Sequence, residues 1–293
     1  MGRHLAPKLK SQGHEVICLS SSQCDLRKRE SLSEYQKGQF ERIYHLAAWT
    51  QAGTFCDLRR GEQWIINQQI NTNVLAWWHE EQPQAKLIAL GTSASYSDAL
   101  PMSEENYLKG VPSDSYVAYA YSKRSLLIGL QSLARQFGYR YLYLVPSTLY
   151  GPGYSLDGRQ LHFIYDLIRK ISNGLLYGHE VVLWGDGHQR RELVYVEDFA
   201  EILLHLADSC DNEVINVGAG ESHSIREFVQ LICDIMQYPH EKIAFDTNAF
   251  TGLRLKCLDI SRLDSLMPDR NSTALANGLR RTIEWMSEAQ NQK

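Results

Sequence analysis

Short β-rich runs alternate with longer amphipathic stretches along most of this chain, and that alternation constrains its fold more than any other feature. The runs at 14–19 (HEVICL), 42–46 (RIYHL), 86–90 (KLIAL), 140–145 (RYLYLV) and 214–217 (VINV) read as strands. Residues 2–12, 62–81, 116–137, 160–173, 197–208 and 224–237 read as helices. The last opens on Ser224 with Glu227 three residues on, the pattern of a capping box. Strands apolar along their whole length are buried on both faces, as in a parallel sheet covered by helices. The expected fold is α/β, a doubly wound parallel sheet, followed from about residue 151 by a smaller and more irregular α/β region.

The chain opens directly on a helix, Gly2-Arg3-His4-Leu5, with no strand before it. Residues 2–19 read as the second half of a β-α-β unit. In a doubly wound sheet the missing strand lies at the centre, beside the point where strand order reverses. Its absence leaves two neighbours separated by a gap of one strand, roughly 4.8 Å beyond normal spacing. Either the sequence begins inside a longer protein or another segment fills that slot.

Composition narrows the partners. The 293 residues carry 30 Lys+Arg against 34 Asp+Glu, a net charge of -4, so no basic excess draws the chain to nucleic acid. Apolar stretches are broken by Arg140, Pro146 or Gly91 well short of the roughly 18 residues of a membrane span. No signal pattern opens the chain. The six cysteines form no C-x-x-C pair, which speaks for reduced thiols and against a zinc site or disulfide framework. The expectation is a cytoplasmic protein with no metal and no membrane partner.

Tyr119 and Lys123 form a Y-x-x-x-K motif in the 116–137 helix, where four-residue spacing places both on one face. A neighbouring ammonium favours the phenolate, so the Tyr119 pKa is expected below its usual value near 10. Such a tyrosine exchanges a proton with a carbonyl or alcohol. Tyr238 and Lys242 match the motif too, but Pro239 between them opposes a regular helix. Strand 86–90 runs into Gly91-Thr92-Ser93-Ala94-Ser95-Tyr96, hydroxyls at a carboxyl strand end, where α/β sheets bind ligands. Tyr44-His45-Leu46-Ala47-Ala48 likewise ends a strand in small residues, and strand 140–145 runs into Pro146-Ser147-Thr148-Leu149-Tyr150-Gly151-Pro152.

Together, in this order, these segments resemble the extended short-chain dehydrogenase/reductases, the NAD-dependent epimerase/dehydratase family, over nearly the whole chain. The resemblance implies a Rossmann-like dinucleotide-binding domain over 1–150, with parts of 189–218 returning to it, and a nucleotide-sugar-binding region over 151–293. It gives Tyr119 and Lys123 as the catalytic pair, with Thr92, or Ser93 as second choice, as the catalytic hydroxyl. His45, Leu46, Ala47 and Ala48 would line the cofactor, joined by Ser20, Asp25, Leu26, Pro146 and Thr148, while Asn73 supports the sheet. Leu183-Trp184-Gly185-Asp186-Gly187 and Arg191-Glu192 match the nucleotide-sugar segment. Substrate contacts are then Thr148, His162, Trp184 and Arg191, the last suited to a diphosphate as a bidentate guanidinium. Gly218-Ala219-Gly220 lies too late to be the dinucleotide fingerprint and reads as a turn into a capped helix. Of that fingerprint, only Gly2 stands where its last glycine would.

Asn67–Asn73 and His162–Lys170 look most like the GDP-L-fucose synthase branch, which pairs a Cys with a His for epimerisation. His162 matches the His, whereas Ala94 stands at the Cys position. Strand 14–19 ends in Ser20-Ser21-Ser22 without an acidic residue for the ribose 2′-OH, which favours NADP over NAD. The implied activity is that of an NAD(P)-dependent nucleotide-sugar oxidoreductase, a 4-keto-sugar reductase or 4-epimerase. The alternative is a non-catalytic nucleotide-sugar or dinucleotide-binding protein that has lost the phosphate loop. A dehydratase fits less well, because Ser93 and Ala94 follow Thr92 instead of an Asp-Glu pair. The resemblance also implies a homodimer through a four-helix interface including 62–81 and 116–137, near Trp77 and Trp78.

Overall fold

The structure is a computed structural model that describes residues 1–35, 38–249 and 253–291. Its α-helices are α1 Gly2–Ser11, α2 Phe55–Leu58, α3 Arg60–Glu81, α4 Val117–Phe137, α5 Phe163–Tyr177, α6 Val196–Ser209, α7 Ile225–Met236, α8 Ser261–Leu266 and α9 Leu275–Asn291. Its strands are β1 Arg42–His45, β2 Lys86–Leu90, β3 Tyr141–Pro146, β4 Thr148–Tyr150, β5 Val181–Trp184, β6 Arg190–Arg191, β7 Leu193–Tyr195, β8 Glu213–Val217, β9 His223–Ser224, β10 Ile243–Asp246 and β11 Leu255–Lys256.

The main sheet is parallel in the order β1-β2-β3-β8. Every residue of β2 is buried, as its unbroken apolar run requires of a strand covered on both faces. Helices α3 and α4 pack against each other beside this sheet, and α6 lies against β3. The capping box at α7 forms as its sequence demands: the Ser224 hydroxyl accepts from the Glu227 amide, and the Glu227 carboxylate from the Ser224 amide. Two hydrophobic cores result. One gathers the main sheet with α1, α3, α4, α6 and α8; the other gathers α5, β5, α7 and α9. The parallel pair β4–β7 joins them, with Leu149 and Val194 in the first core and Tyr150 and Tyr195 in the second.

Residues 14–19 are not a strand. They run without regular structure, with Ile17 and Leu19 each 44% exposed. Apolar, β-branched residues specify a strand only when a ladder partner lies about 4.8 Å away. No described strand pairs with this segment, so its backbone joins no ladder. The expectation for Trp77 and Trp78 also changes, because both are buried, at 8% and 0% exposure. Trp78 donates its indole N–H to the Ala85 carbonyl (2.9 Å), and Trp77 packs against Tyr35 and Phe40.

The region after residue 239 yielded no expected elements. There β11 pairs over only two residues, too few for any periodicity to register, whereas α9, long and amphipathic, carries a pattern that the expected helices left out.

Candidate active site

The site starts where β2 ends. Its last residue, Leu90, leads into a short 3₁₀ turn, Ser93–Ser95, capped by the Thr92 hydroxyl, which accepts the Ala94 amide at 3.2 Å. Ser93 is buried while Thr92 is partly exposed, so of the two candidate hydroxyls Thr92 is the one a ligand can reach. Helix α4 brings Lys123 alongside. Its Nζ lies 6.0 Å from the centre of the Tyr119 ring and donates to the Leu90 carbonyl at 2.9 Å. Burial lowers the Lys123 pKa to about 8.

The Tyr119 pKa is raised, not lowered as the spacing suggested. Burial of the phenol is the main cause, with the nearby Cys56 and Tyr107 adding to it. The Lys123 ammonium is committed to the Leu90 carbonyl, and desolvation of the phenolate prevails. Tyr119 therefore holds its proton at neutral pH.

His45 ends β1, buried and hydrogen-bonded through Nε2 to Asn71 Oδ1 at 3.2 Å. Burial, then the Lys123 charge, brings its pKa down to about 4. Asn71 also donates to the Ser122 carbonyl, and Asn67 pairs with the Trp49 backbone in both directions. These two asparagines, one helical turn apart on α3, support the strand end. Asn73 sits two residues, or about 200°, further around the helix and binds the Leu26 carbonyl instead.

Other candidate cofactor residues spread along this edge. Pro146 ends β3 and Thr148 begins β4, both half-buried. Asp25 is held as a carboxylate by Arg27, its pKa lowered to about 2, and Leu26 packs on the first core. Ser20 bonds to Ser22 and Gln23, and Gly2 opens α1 with nothing within 4 Å of where a Cβ would stand. Ala47 is exposed and Ala48 half-buried, which leaves the backbone past β1 uncovered beside His45 and Lys123. The uncovered backbone past β1, with Pro146 and Thr148, fits the nicotinamide half of a dinucleotide.

A second cluster lies on the other core. His162 precedes α5 at its cap position; it is not a polar residue along the helix. Its amide donates to the Tyr154 hydroxyl at 3.3 Å, while its Nδ1 is buried without a partner among the described residues. Burial, then the charges of Lys256 and Arg191, lower its pKa to about 4. Arg191 and Lys256 are register partners in β6 and β11, so two cations stand on adjacent strands. Arg191 donates to the Arg190 and Leu253 carbonyls, and burial followed by the Arg191 charge brings Lys256 down to about 8. Trp184 is exposed, with Lys170 Nζ 5.7 Å over its ring. Lys256 carried no motif, and only the folding of β11 against β6 reveals it. Two partly dehydrated cations on adjacent strands suit a phosphate or other anion.

Comparison with known proteins gives the family. The sequence pattern of the NAD dependent epimerase/dehydratase family matches residues 1–218. The chain is 28% identical to a GDP-L-fucose synthase from Azorhizobium caulinodans, over 97% of this chain and 92% of that one. It is 26% identical to a GDP-L-colitose synthase from Yersinia pseudotuberculosis, over 99% and 96%. A crystal structure of a GDP-L-fucose synthetase from Naegleria fowleri bound to NADP superposes with a TM-score of 0.86, at 23% identity, covering 99% of this chain and 91% of that one. The chain belongs to the NAD dependent epimerase/dehydratase family. It is, by class, an NAD(P)-dependent nucleotide-sugar epimerase/reductase. No helix among the described residues is long and apolar enough to cross a membrane.

Proposed function

We propose that this enzyme reduces the C4 carbonyl of a GDP-linked 4-keto sugar with NADPH. The observation that carries the reading is geometric: Tyr119, a protonated phenol, shares one helix face with Lys123, whose Nζ is bonded to the Leu90 carbonyl at the strand end that leads to Thr92. A protonated phenol is a proton donor, which suits reduction of a ketone better than oxidation of an alcohol. In this reading Tyr119 gives its Oη proton to the sugar O4, and the Thr92 hydroxyl donates a hydrogen bond to the same oxygen. Lys123, anchored on Leu90, stabilises the phenolate left behind and orients the cofactor ribose. Bound NADPH supplies the hydride that arrives at C4. His45, Leu46, Ala47, Ala48, Pro146 and Thr148 would flank the nicotinamide half. Ser20, Asp25, Leu26 and the α1 terminus at Gly2 would serve the adenosine half.

The diphosphate falls to Arg191 and Lys256, and the guanine to Trp184, with His162 beside the sugar. GDP as the nucleotide is supported by the two relatives, a GDP-L-fucose synthase and a GDP-L-colitose synthase. Ala94 at the cysteine position leaves His162 without a paired acid, which favours reduction without epimerisation. A division into cofactor on the first core and sugar nucleotide on the second draws support from the two cores, although the first also takes in Leu258, Ile260 and Leu263 from the later region. The same reading includes a cytoplasmic homodimer through α3 and α4. Support comes from the exposed Trp64, Ile65, Tyr121 and Ile128 on those helices.

The test is NADPH oxidation with GDP-4-keto-6-deoxymannose as probe, followed at 340 nm. Wild-type turnover that Tyr119→Phe lowers by about a thousandfold, with folding intact, supports the reading. Full activity in Tyr119→Phe overturns it.

A further inference from the structure

Beneath the Gly91–Tyr96 loop lies a buried hydroxyl network that the proposed reaction does not itself require. Tyr107 is 1% exposed and Tyr143 and Ser95 are 0% exposed, yet all three hydroxyls are partnered. The Thr92 amide donates to Tyr107 Oη at 3.3 Å. Tyr107 Oη lies 3.1 Å from Ser95 Oγ and 3.0 Å from Tyr143 Oη. Ser95 Oγ donates to the Ala120 carbonyl at 3.2 Å, and Tyr143 Oη donates to the Lys123 carbonyl at 2.8 Å. Tyr107 has one proton to give, to Ser95 or to Tyr143, so donation runs one way, from the Thr92 backbone through Tyr107 to one α4 carbonyl at a time, that of Ala120 or that of Lys123. Hydrogen bonds aligned in one direction polarise and strengthen one another.

The network ends on peptide oxygens, so it conducts no proton to or from solvent. What it does is tie two elements together. One end holds the backbone of Thr92; the other holds the turn of α4 that carries Tyr119 and Lys123. Arg124 clamps the same two parts from the far side, donating to the Ser95, Lys109 and Gly110 carbonyls. Gly91 fits the pattern, since a Cβ there would stand 2.7 Å from Tyr107 Oη and 2.6 Å from a ring carbon of Tyr143. The strand end thus packs directly on the two phenols.

We propose that Tyr107 is a positioning residue, whose hydroxyl sets the placement of Thr92 relative to Tyr119 and Lys123. This inference rests on the reductase reading. Its physical basis is that misplacing a reacting group by about 1 Å can cost about a hundredfold in rate, while remote binding contacts stay intact.

The experiment is Tyr107→Phe in the full chain, assayed for NADPH oxidation with the same GDP-4-keto sugar and checked for folding by circular dichroism. The expected result is a kcat lowered by about tenfold or more, with KM for NADPH within about twofold of wild type. Tyr143→Phe should act in the same direction, and the double variant should cost less than the product of the two singles. A residue with a merely structural role would lower the melting temperature and leave kcat per folded molecule unchanged. Folded Tyr107→Phe with wild-type kcat overturns the proposal. Should Tyr107→Phe not fold, Ser95→Ala, the smallest truncation in the network, decides by the same split. Loss of turnover in Tyr119→Phe but not in Tyr107→Phe removes only this inference. Absence of turnover in wild type, or full turnover in Tyr119→Phe, removes the reductase reading and this inference with it.

Discussion

Each core has beside it a lysine with a pKa near 8 and a histidine near 4, buried at Lys123 and His45 and half-buried at Lys256 and His162, and the two pairs differ in what surrounds them. On the first core Lys123 is bonded to the Leu90 carbonyl and His45 to Asn71. On the second, Lys256 faces Arg191 across two strands, and His162 Nδ1 has no partner among the described residues. Similar shifts therefore have different causes. Desolvation acts alone on Lys123, whereas a second cation adds to it at Lys256. The first site is internally satisfied and built to hold a phenol in place. The second sets two cations, Arg191 and Lys256, side by side with Asp98 and Glu192 nearby, and keeps Lys256 partly dehydrated, an arrangement that an entering anion stabilises.

That contrast can be broken in four places. Lys123→Met should lower turnover by about a hundredfold or more while leaving the affinity for GDP within about twofold, measured by calorimetry. Equal losses in both would erase the separation of the two sites. The converse change, Lys256→Met, should weaken GDP binding by about tenfold to a hundredfold, since hydrogen bonds to charged groups are worth roughly 1.5–3 kcal/mol. Its melting temperature without ligand should hold or rise, because a half-buried charge has been removed.

A smaller effect should follow pH. Anion binding favours the ammonium form of Lys256, so GDP affinity should fall as pH rises through about 8, by at most about tenfold per unit. Proton uptake on binding at pH 8.5, absent in Lys256→Met, would sharpen the assignment; a flat profile in wild type would refute it.

The smallest effect concerns stability. Both histidines have folded pKa values near 4, below the model-peptide value of about 6.5, so the unfolded chain binds more protons between those limits. Their contribution is complete above pH 6.5 and is lost as pH falls toward 4. The melting temperature should drop over that window, and His45→Gln and His162→Gln should each flatten the slope. An unchanged slope in either variant would show that its histidine titrates alike in the folded and unfolded chain.

How much of this was legible beforehand depends on periodicity. Strands β2, β3 and β8 and helices α3, α4, α6 and α7 were readable to within a few residues, because each repeats its apolar pattern over enough positions to register. Residues 14–19 have the composition of a strand but no ladder partner, so propensity alone misled. Tyr119 and Lys123 were visible through their spacing, whereas the direction of the Tyr119 shift was not. Spacing reports that a charge is near, and only burial decides whether the charge or the desolvation prevails. Lys256 and Tyr107 gave no signal, since each acquires its meaning from a partner 65 or 15 residues away in the chain, Arg191 and Thr92.

By itself, then, the amino-acid order determined the α/β class, the parallel sheet, the helix that pairs Tyr119 with Lys123 and the hydroxyl strand end at Thr92. These are consequences of local pattern, in which residues a few positions apart share a face. Tertiary structure alone decided which cations face each other, which phenols share protons and which side chains leave water. Those are long-range matters, set by packing between elements that no local pattern connects.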